Sequence, residues 1–269
     1  MESITMLGTG SAMVTKCYNT CFTISNKDNE HFLVDAGGGN TILSNLEKSH
    51  ISINQIHNMF ISHNHNDHIL GAVWVIRSVA NSILNSKYNG VLNIYCHKKS
   101  IDALNNICSF VLQKKFINLF NEKILFHDIS NNTSVEILGR KTTFFDINST
   151  KELQHGFTTI LENGKKLTFL GDEPYRDGVK EYCENVDYLM HEAFCLYSDK
   201  DIFKPYEKHH ATAKDACINA AKLNVKNVIL YHTEDKNLTK RKELYIQEGQ
   251  KEFCGNIFMP DDLDIISLI

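Results

Sequence analysis

Apolar positions recur along this chain in runs of strand length. In the first half these are SITMLG, CFTIS, HFLVDAG and HNMFIS, each closed by turn residues or by a polar cluster, and each predicts a β-strand. The spacing then changes. LGAVWVIRSVANSIL has the length and apolar repeat of a helix, VLNIYC reads as a strand, and SIDALNNICSFVLQKKFINLF reads as a second helix. KILFHDI, SVEILG and KTTFFDI predict strands, and FTTILENGKKLTFLGDE predicts two strands joined at Asn163-Gly164, a dipeptide whose tolerance of positive φ suits a tight hairpin. The last third alternates: a strand in VDYLMHEAF, a helix in TAKDACINAAKLN, a strand in NVILYH, a helix in RKELYIQEGQKEF and a closing strand in LDIISLI.

Two runs of strands, each followed by helices, imply an α/β protein in which two sheets pack face to face with helices outside, a four-layer αββα sandwich. Only three prolines occur, Pro174, Pro205 and Pro260, and no low-complexity or Ser/Gly/Pro-rich segment divides the chain. Residues 1–269 are therefore expected to form a single domain.

At 269 residues and 42% hydrophobic content the chain is long and apolar enough for a sizeable core. A net charge of −4 supplies no global basic field, so a nucleic-acid substrate has to be argued from a site and not from diffuse attraction. MESITMLGTG has no basic stretch followed by an apolar one, and no window approaches eighteen uninterrupted apolar residues. The expectation is a cytoplasmic protein without a membrane partner. Eight cysteines, none in a CxxC pair, are expected to be reduced and mostly buried.

The chemistry is concentrated in ISHNHNDHILG, residues 61–71, where His63, His65, Asp67 and His68 fall within six positions. Neutral imidazoles and carboxylates are ligands for zinc and similar ions. On a loop between a strand and a helix, this spacing lets His63 and His65 face one ion while Asp67 and His68 face a second, the two roughly 3.5–4 Å apart and sharing a hydroxide. A solvated loop built on Asn64 and Asn66 would account for one histidine but not for three with an aspartate in this order. Further donors recur at predicted strand ends: His155 before the hairpin, Asp172 in FLGDE and His232 in NVILYH. There a rigid sheet can aim side chains into a common cleft.

HNHNDH, a downstream His, a GD pair and a strand-terminal His together resemble the metallo-β-lactamase superfamily, and within it the branch that includes ribonuclease Z. MLGTGSA, FLVDAGGG, LMHEAF, HHATAKDA and VILYHTED resemble that branch's successive blocks, in order and over nearly the whole chain. The resemblance implies the metallo-β-lactamase sandwich, a homodimer and two divalent metal ions, zinc first, with manganese or iron as alternatives. It assigns His63, His65 and His155 to one metal, Asp67, His68 and His232 to the other, and Asp172 to both. It further implies catalytic roles for His210, for Glu192 as its support, and for Asp67 in orienting the attacking hydroxide. Ala211 stands where the branch usually has Ser, next to a retained His210.

Such a centre attacks phosphorus in line, with His210 stabilising or protonating the departing oxygen. Bacterial ribonuclease Z carries a long arm that grips tRNA between the third metal histidine and the bridging Asp. Here only residues 156–171 lie between His155 and Asp172, and one hairpin fills them. Residues 81–145 offer no basic or flexible substitute, and Lys114-Lys115 and Lys165-Lys166 read as solvated pairs. A large RNA draws affinity from many phosphates away from the cut, whereas a small diester needs only the cleft. The branch includes armless phosphodiesterases that open cyclic nucleotides, among them phage-type enzymes acting on cyclic pyrimidine mononucleotides. The expected reaction is therefore hydrolysis of a small or cyclic nucleotide phosphodiester, with tRNA 3′ processing, and so a short RNA phosphodiester, as the alternative. A lactonase or thioesterase on the same fold has no use for the Glu192 and His210 blocks, and a metal-poor binding protein has no use for seven ligands. His191 reads as a structural strand-end residue. His31, His50, His57, His97 and His127 lie outside the matched blocks and read as ordinary histidines. Gly37–Gly39 lacks phosphate-loop spacing and a partner Lys and reads as a tight turn.

Overall fold

The computed structural model describes residues 2–269. Strands β1 (Ser3–Gly8), β2 (Cys21–Ser25) and β3 (His31–Val34) lead into helix α1 (Thr41–Lys48), then β4 (Ile56–Phe60), α2 (Asn66–Leu84), β5 (Leu92–Cys96), α3 (Lys98–Val111), the short α4 (Lys114–Ile117) and β6 (Ile124–Asp128). Four strands follow, β7 (Thr133–Ile137), β8 (Arg140–Asp146), β9 (His155–Ile160) and β10 (Lys166–Phe169). The remainder is α5 (Lys180–Cys183), β11 (Tyr188–Glu192), α6 (Lys200–Phe203), α7 (Ala213–Lys222), β12 (Asn227–Tyr231), α8 (Arg241–Gly249), β13 (Asn256–Phe258) and β14 (Ile265–Ser267).

The backbone divides into two compact units. The first comprises the chain up to Gly8, Tyr18–Ile129 and Asp262–Ile269, and the second comprises Thr9–Cys17 and Ser130–Asp261.

In the first unit a seven-stranded sheet runs in the order β14-β1-β2-β3-β4-β5-β6. It is antiparallel from β14 to β3 and parallel from β3 to β6. Parallel neighbours need long crossovers, and α1, α2 and the α3-α4 pair supply them. Ile42 and Leu46 of α1, Ile76 and Val79 of α2 and Leu104 of α3 share a core with Leu33, Met59 and Ile94 of the sheet. Strands β2 and β3 are buried along their whole length, so both faces of this sheet are covered and the apolar runs need not alternate.

The second unit carries another seven-stranded sheet, ordered β13-β12-β11-β10-β9-β8-β7. Strands β7 to β10 form an antiparallel meander, and β10 to β13 are parallel. Ala213, Ala216 and Ala220 of α7 pack with Leu189, Val228 and Leu230 of the sheet. The small side chains on that face let the helix lie close to the strands.

Helices α1, α5 and α6 were not among the predicted elements, and three further departures bear on the site or the sheets. The helix expected across residues 100–120 is two, because Leu112 and Gln113 are extended; the break leaves Phe110 and Val111 exposed while Phe116 is buried. Helix α2 begins at Asn66, four residues before the predicted LGAVW run, so Asp67 and His68 lie in its first turn and not on a loop. Strand β13, three residues long, was not predicted. The Asn163-Gly164 hairpin is present, with Gly164 at φ 80° between β9 and β10. All eight cysteines are free thiols, and among the described residues no helix is long and apolar enough to cross a membrane.

Candidate active site

In the first unit the donors follow β4. The chain after Phe60 is fixed on both sides, with Asp35 N–H donating to the Phe60 carbonyl (2.8 Å) and Ile61 N–H to that of Tyr95 (3.0 Å). Helix α2 then starts against the loop after β3: Gly71 N–H donates to the Gly37 carbonyl at 2.8 Å and Ala36 N–H to the His68 carbonyl at 3.0 Å. A Cβ on Gly71 would lie 1.8 Å from the Ala36 carbonyl oxygen, so this approach requires glycine. Asp67 in the first turn also meets the positive end of the helix dipole.

His63, Asp67 and His68 are buried, and His65 is half-buried. Nε2 of His63 and Nδ1 of His65 converge to 2.8 Å. Nε2 of His68 lies 3.3 Å from Oδ2 of Asp67, and the His63 and His68 rings are 4.2 Å apart.

Behind them stands Asp35, fully buried and held at φ 52°, a backbone conformation that non-glycine residues adopt mainly where surrounding structure enforces it. Its carboxylate accepts from Ser62 N–H at 2.8 Å and Ser62 Oγ–H at 2.7 Å, and from His68 Nδ1 at 2.8 Å. Since Ser62 spends its only proton on Asp35, it accepts from Nδ1–H of His63, 2.9 Å away. Both histidines are thereby protonated on Nδ1 and turn Nε2 towards the donor cluster, the arrangement by which proteins orient metal-binding imidazoles. Burial opposes charge on His68, yet Asp67 and Asp35 outweigh it and hold its pKa well above the usual range. The surroundings favour positive charge at that ring, which a bound cation would equally supply. Asp35 carried no role in the sequence reading beyond its place in FLVDAGGG.

In the second unit, His155 opens β9 and is buried. Asp172 follows Gly171, whose φ is 74° and whose carbonyl accepts from the Tyr231 hydroxyl. His232 follows β12 directly, buried and left-handed at φ 60°. Its neighbour Thr233 is fastened on three sides: its N–H donates to Thr9 (3.1 Å), its carbonyl accepts from Ser11 (2.9 Å), and its hydroxyl accepts from the buried Arg241 at 2.8 Å. His232 Nε2 lies 3.7 Å from Asp172 Oδ2.

Glu192, the last residue of β11, is fully buried. One carboxylate oxygen accepts from Ala211 N–H, and the other lies 3.6 Å from His210 Nδ1. The His210 ring stacks on Phe194 with centroids 4.8 Å apart, and the backbone N–H of His210 donates to the Pro205 carbonyl at 2.9 Å. Thr212 then caps α7 in a capping box with Asp215, which fixes the chain on the far side of His210. Burial pushes Glu192 up to about 8, against the pull of His191, His232 and the Ala211 N–H. Burial, with Lys151 adding to it, lowers His210 to about 4. One donor atom each of Glu192, His210 and His232 falls within 4.8 Å of the others, and His155 stands outside that group. His191 donates from Nδ1 to the Glu192 carbonyl at 2.7 Å and its Nε2 meets Tyr175 N–H at 3.3 Å, a structural role as its sequence position suggested.

Imidazole nitrogens and carboxylate oxygens, with tautomers fixed from behind, fit a borderline divalent ion such as zinc. The family model for the anti-Pycsar protein Apyc1 matches residues 2–256. Ribonuclease Z of Nanoarchaeum equitans is 25% identical over 302 aligned positions, covering 98% of this chain and 92% of the relative. Among solved structures, the metallo-β-lactamase fold protein YhfI from Bacillus subtilis superposes with a TM-score of 0.79 at 16% identity, covering 98% of each chain. The short form of human tRNase Z superposes at 0.77 with 20% identity, covering 99% of each. The fold is the αββα sandwich of the metallo-β-lactamases.

Proposed function

The chain belongs to the anti-Pycsar protein Apyc1 family, and from that premise we propose that it opens the phosphodiester of a cyclic nucleotide at a centre of two divalent metal ions. It is a metal-dependent hydrolase of the metallo-β-lactamase superfamily, in the ribonuclease Z-like branch. The observation that carries the proposal is the orientation of the donors from behind: Asp35 and Ser62 turn His63 and His68 so that both present Nε2 beside His65 and Asp67. His63, His65 and His155 would hold one ion, Asp67, His68 and His232 the second, and Asp172 both.

Bound divalent ions supply Lewis acidity towards a phosphoryl oxygen and lower the pKa of water. Asp67 would orient the attacking oxygen. His210, whose ring burial keeps neutral near pH 7, would donate a hydrogen bond to the charge that builds on the departing oxygen and would take up its proton only as that charge develops, worth roughly 10²–10⁴-fold in rate. Glu192, pinned by Ala211 N–H, holds His210 in place and is not itself a donor to substrate.

The match to the anti-Pycsar protein Apyc1 family supports a cyclic nucleotide as substrate, and the hairpin between His155 and Asp172 turns within residues 161–165, leaving no arm at that place to grip an RNA. A second reading, tRNA 3′ processing, is favoured by the relatives named ribonuclease Z, which align over nearly the whole chain. Removal of metal by a chelator should abolish hydrolysis of bis(p-nitrophenyl) phosphate, and zinc or manganese should restore it. His68→Ala and Asp172→Ala should each lose metal and turnover together; turnover retained in either variant contradicts the two-metal centre.

A further inference from the structure

The ligand loop is anchored from behind by Asp35, but it has a second support, reached from a helix that carries no ligand. Asn64 sits between His63 and His65. Its Oδ1 accepts a 2.6 Å hydrogen bond from Ser100 Oγ, 36 residues away at the start of α3. Ser100 is fully buried, and so is His97, whose Nε2 lies 3.0 Å from the same Ser100 oxygen. The roles are set by proton count. A serine hydroxyl has one proton, and Ser100 gives it to Asn64, so it must accept from Nε2–H of His97. The chain His97 to Ser100 to Asn64 is therefore directional and ends on the residue that separates the two converging histidines.

Its base is rigid. His97 sits at the N-cap of α3, and its carbonyl accepts from Ser100 N–H at 2.9 Å and Ile101 N–H at 3.1 Å. Strand β5 runs directly into this turn, and its Tyr95 carbonyl accepts from Ile61 N–H at 3.0 Å. One strand-to-helix corner thus holds the ligand loop at two points, at Ile61 by backbone and at Asn64 by side chain.

We propose that His97 and Ser100 are positioning residues for the metal centre: through Asn64 they hold His63 and His65 at their convergence. The inference rests on the reading of those two histidines as metal ligands. Neither His97 nor Ser100 touches the substrate or the metal. Partners bonded directly to a metal ligand are worth about 10–100-fold in affinity, and this support, which reaches the ligands through Asn64, falls at the lower end of that range, about tenfold.

The test is zinc affinity measured by competition with a chromogenic chelator, on the whole chain, so that the readout is independent of turnover. Ser100→Ala should weaken zinc about tenfold or more, and Ser100→Thr, which keeps the hydroxyl, should restore affinity. Asn64→Ala, a change on a half-buried loop side chain, should reproduce the loss even if Ser100→Ala fails to fold. A purely structural role predicts instead that all variants melt earlier as metal-free proteins and that those which fold bind zinc as tightly as the wild type. That result, or wild-type affinity in Asn64→Ala, overturns the proposal. Failure of the wild type to bind zinc or manganese overturns the metal reading together with it.

Discussion

Nδ1 of His68 and Oδ2 of Asp35 lie 2.8 Å apart, both fully buried, so the histidine proposed for the second metal is aimed by a carboxylate 33 residues before it. Asp35→Ala should remove the acceptor shared by His68 and Ser62 and lower metal affinity by about 10–100-fold. Asp35→Asn should fall between the wild type and the alanine variant. Zinc stoichiometry after dialysis against a weak chelator checks this, and full retention of metal by Asp35→Ala contradicts the aiming role.

His210→Ala should leave metal content intact and slow turnover by roughly 10²–10⁴-fold if this ring serves the departing oxygen. The loss should be larger for an alkoxide leaving group, as in a nucleotide, than for p-nitrophenoxide, which departs without a proton. Equal loss on both substrates removes His210 from proton transfer. Glu192→Gln should slow the same step less than His210→Ala and should add little when combined with it, since the two act as one unit.

Gly71 marks where α2 meets the loop of Asp35. An added methyl would fall 1.8 Å from a backbone oxygen, which no rotamer change can relieve. Gly71→Ala should cost about 3 kcal/mol and lower the melting temperature by roughly 5–10 °C. An unchanged melting curve contradicts the close approach.

His31, at the start of β3, is buried between Thr23 Oγ1 at 3.1 Å and Asn29 Oδ1 at 3.3 Å. Burial lowers its pKa from 6.5 to about 4. The unfolded chain therefore takes up this proton first as pH falls, so the contribution is fully present above pH 6.5 and is lost as pH falls to about 4. Between pH 7 and pH 4 the wild type should lose up to about 3 kcal/mol relative to His31→Gln. Parallel denaturant curves of the two proteins across that range contradict it.

Some of this was legible in the chain and some was not, for physical reasons. His63, His65, Asp67 and His68 stand out as ligand candidates because their spacing is itself chemical, and His155, Asp172 and His232 because each terminates an apolar run or begins one. The start of α2 was hidden because Asn66, Asp67 and His68 carry no apolar period, although they form its first turn. Asp35, Ser100 and His97 were quoted or passed over without a role because their bonds to His68 and Asn64 exist only once β3, β4 and β5 lie side by side. The Arg241 bond to Thr233 beside His232 belongs to the same class: a fully buried arginine has no signature in sequence.

The central claim is a metal-dependent phosphodiesterase acting on a cyclic nucleotide, and the most direct measurement presents the metal-loaded protein with a panel of 3′,5′-cyclic and 2′,3′-cyclic nucleotides beside a precursor tRNA, with product resolved by chromatography. The account predicts that a cyclic nucleotide is opened to its monophosphate, that chelator stops the reaction, and that the precursor is left intact or cut far more slowly. Clean 3′ cleavage of the precursor with every cyclic nucleotide untouched would contradict it.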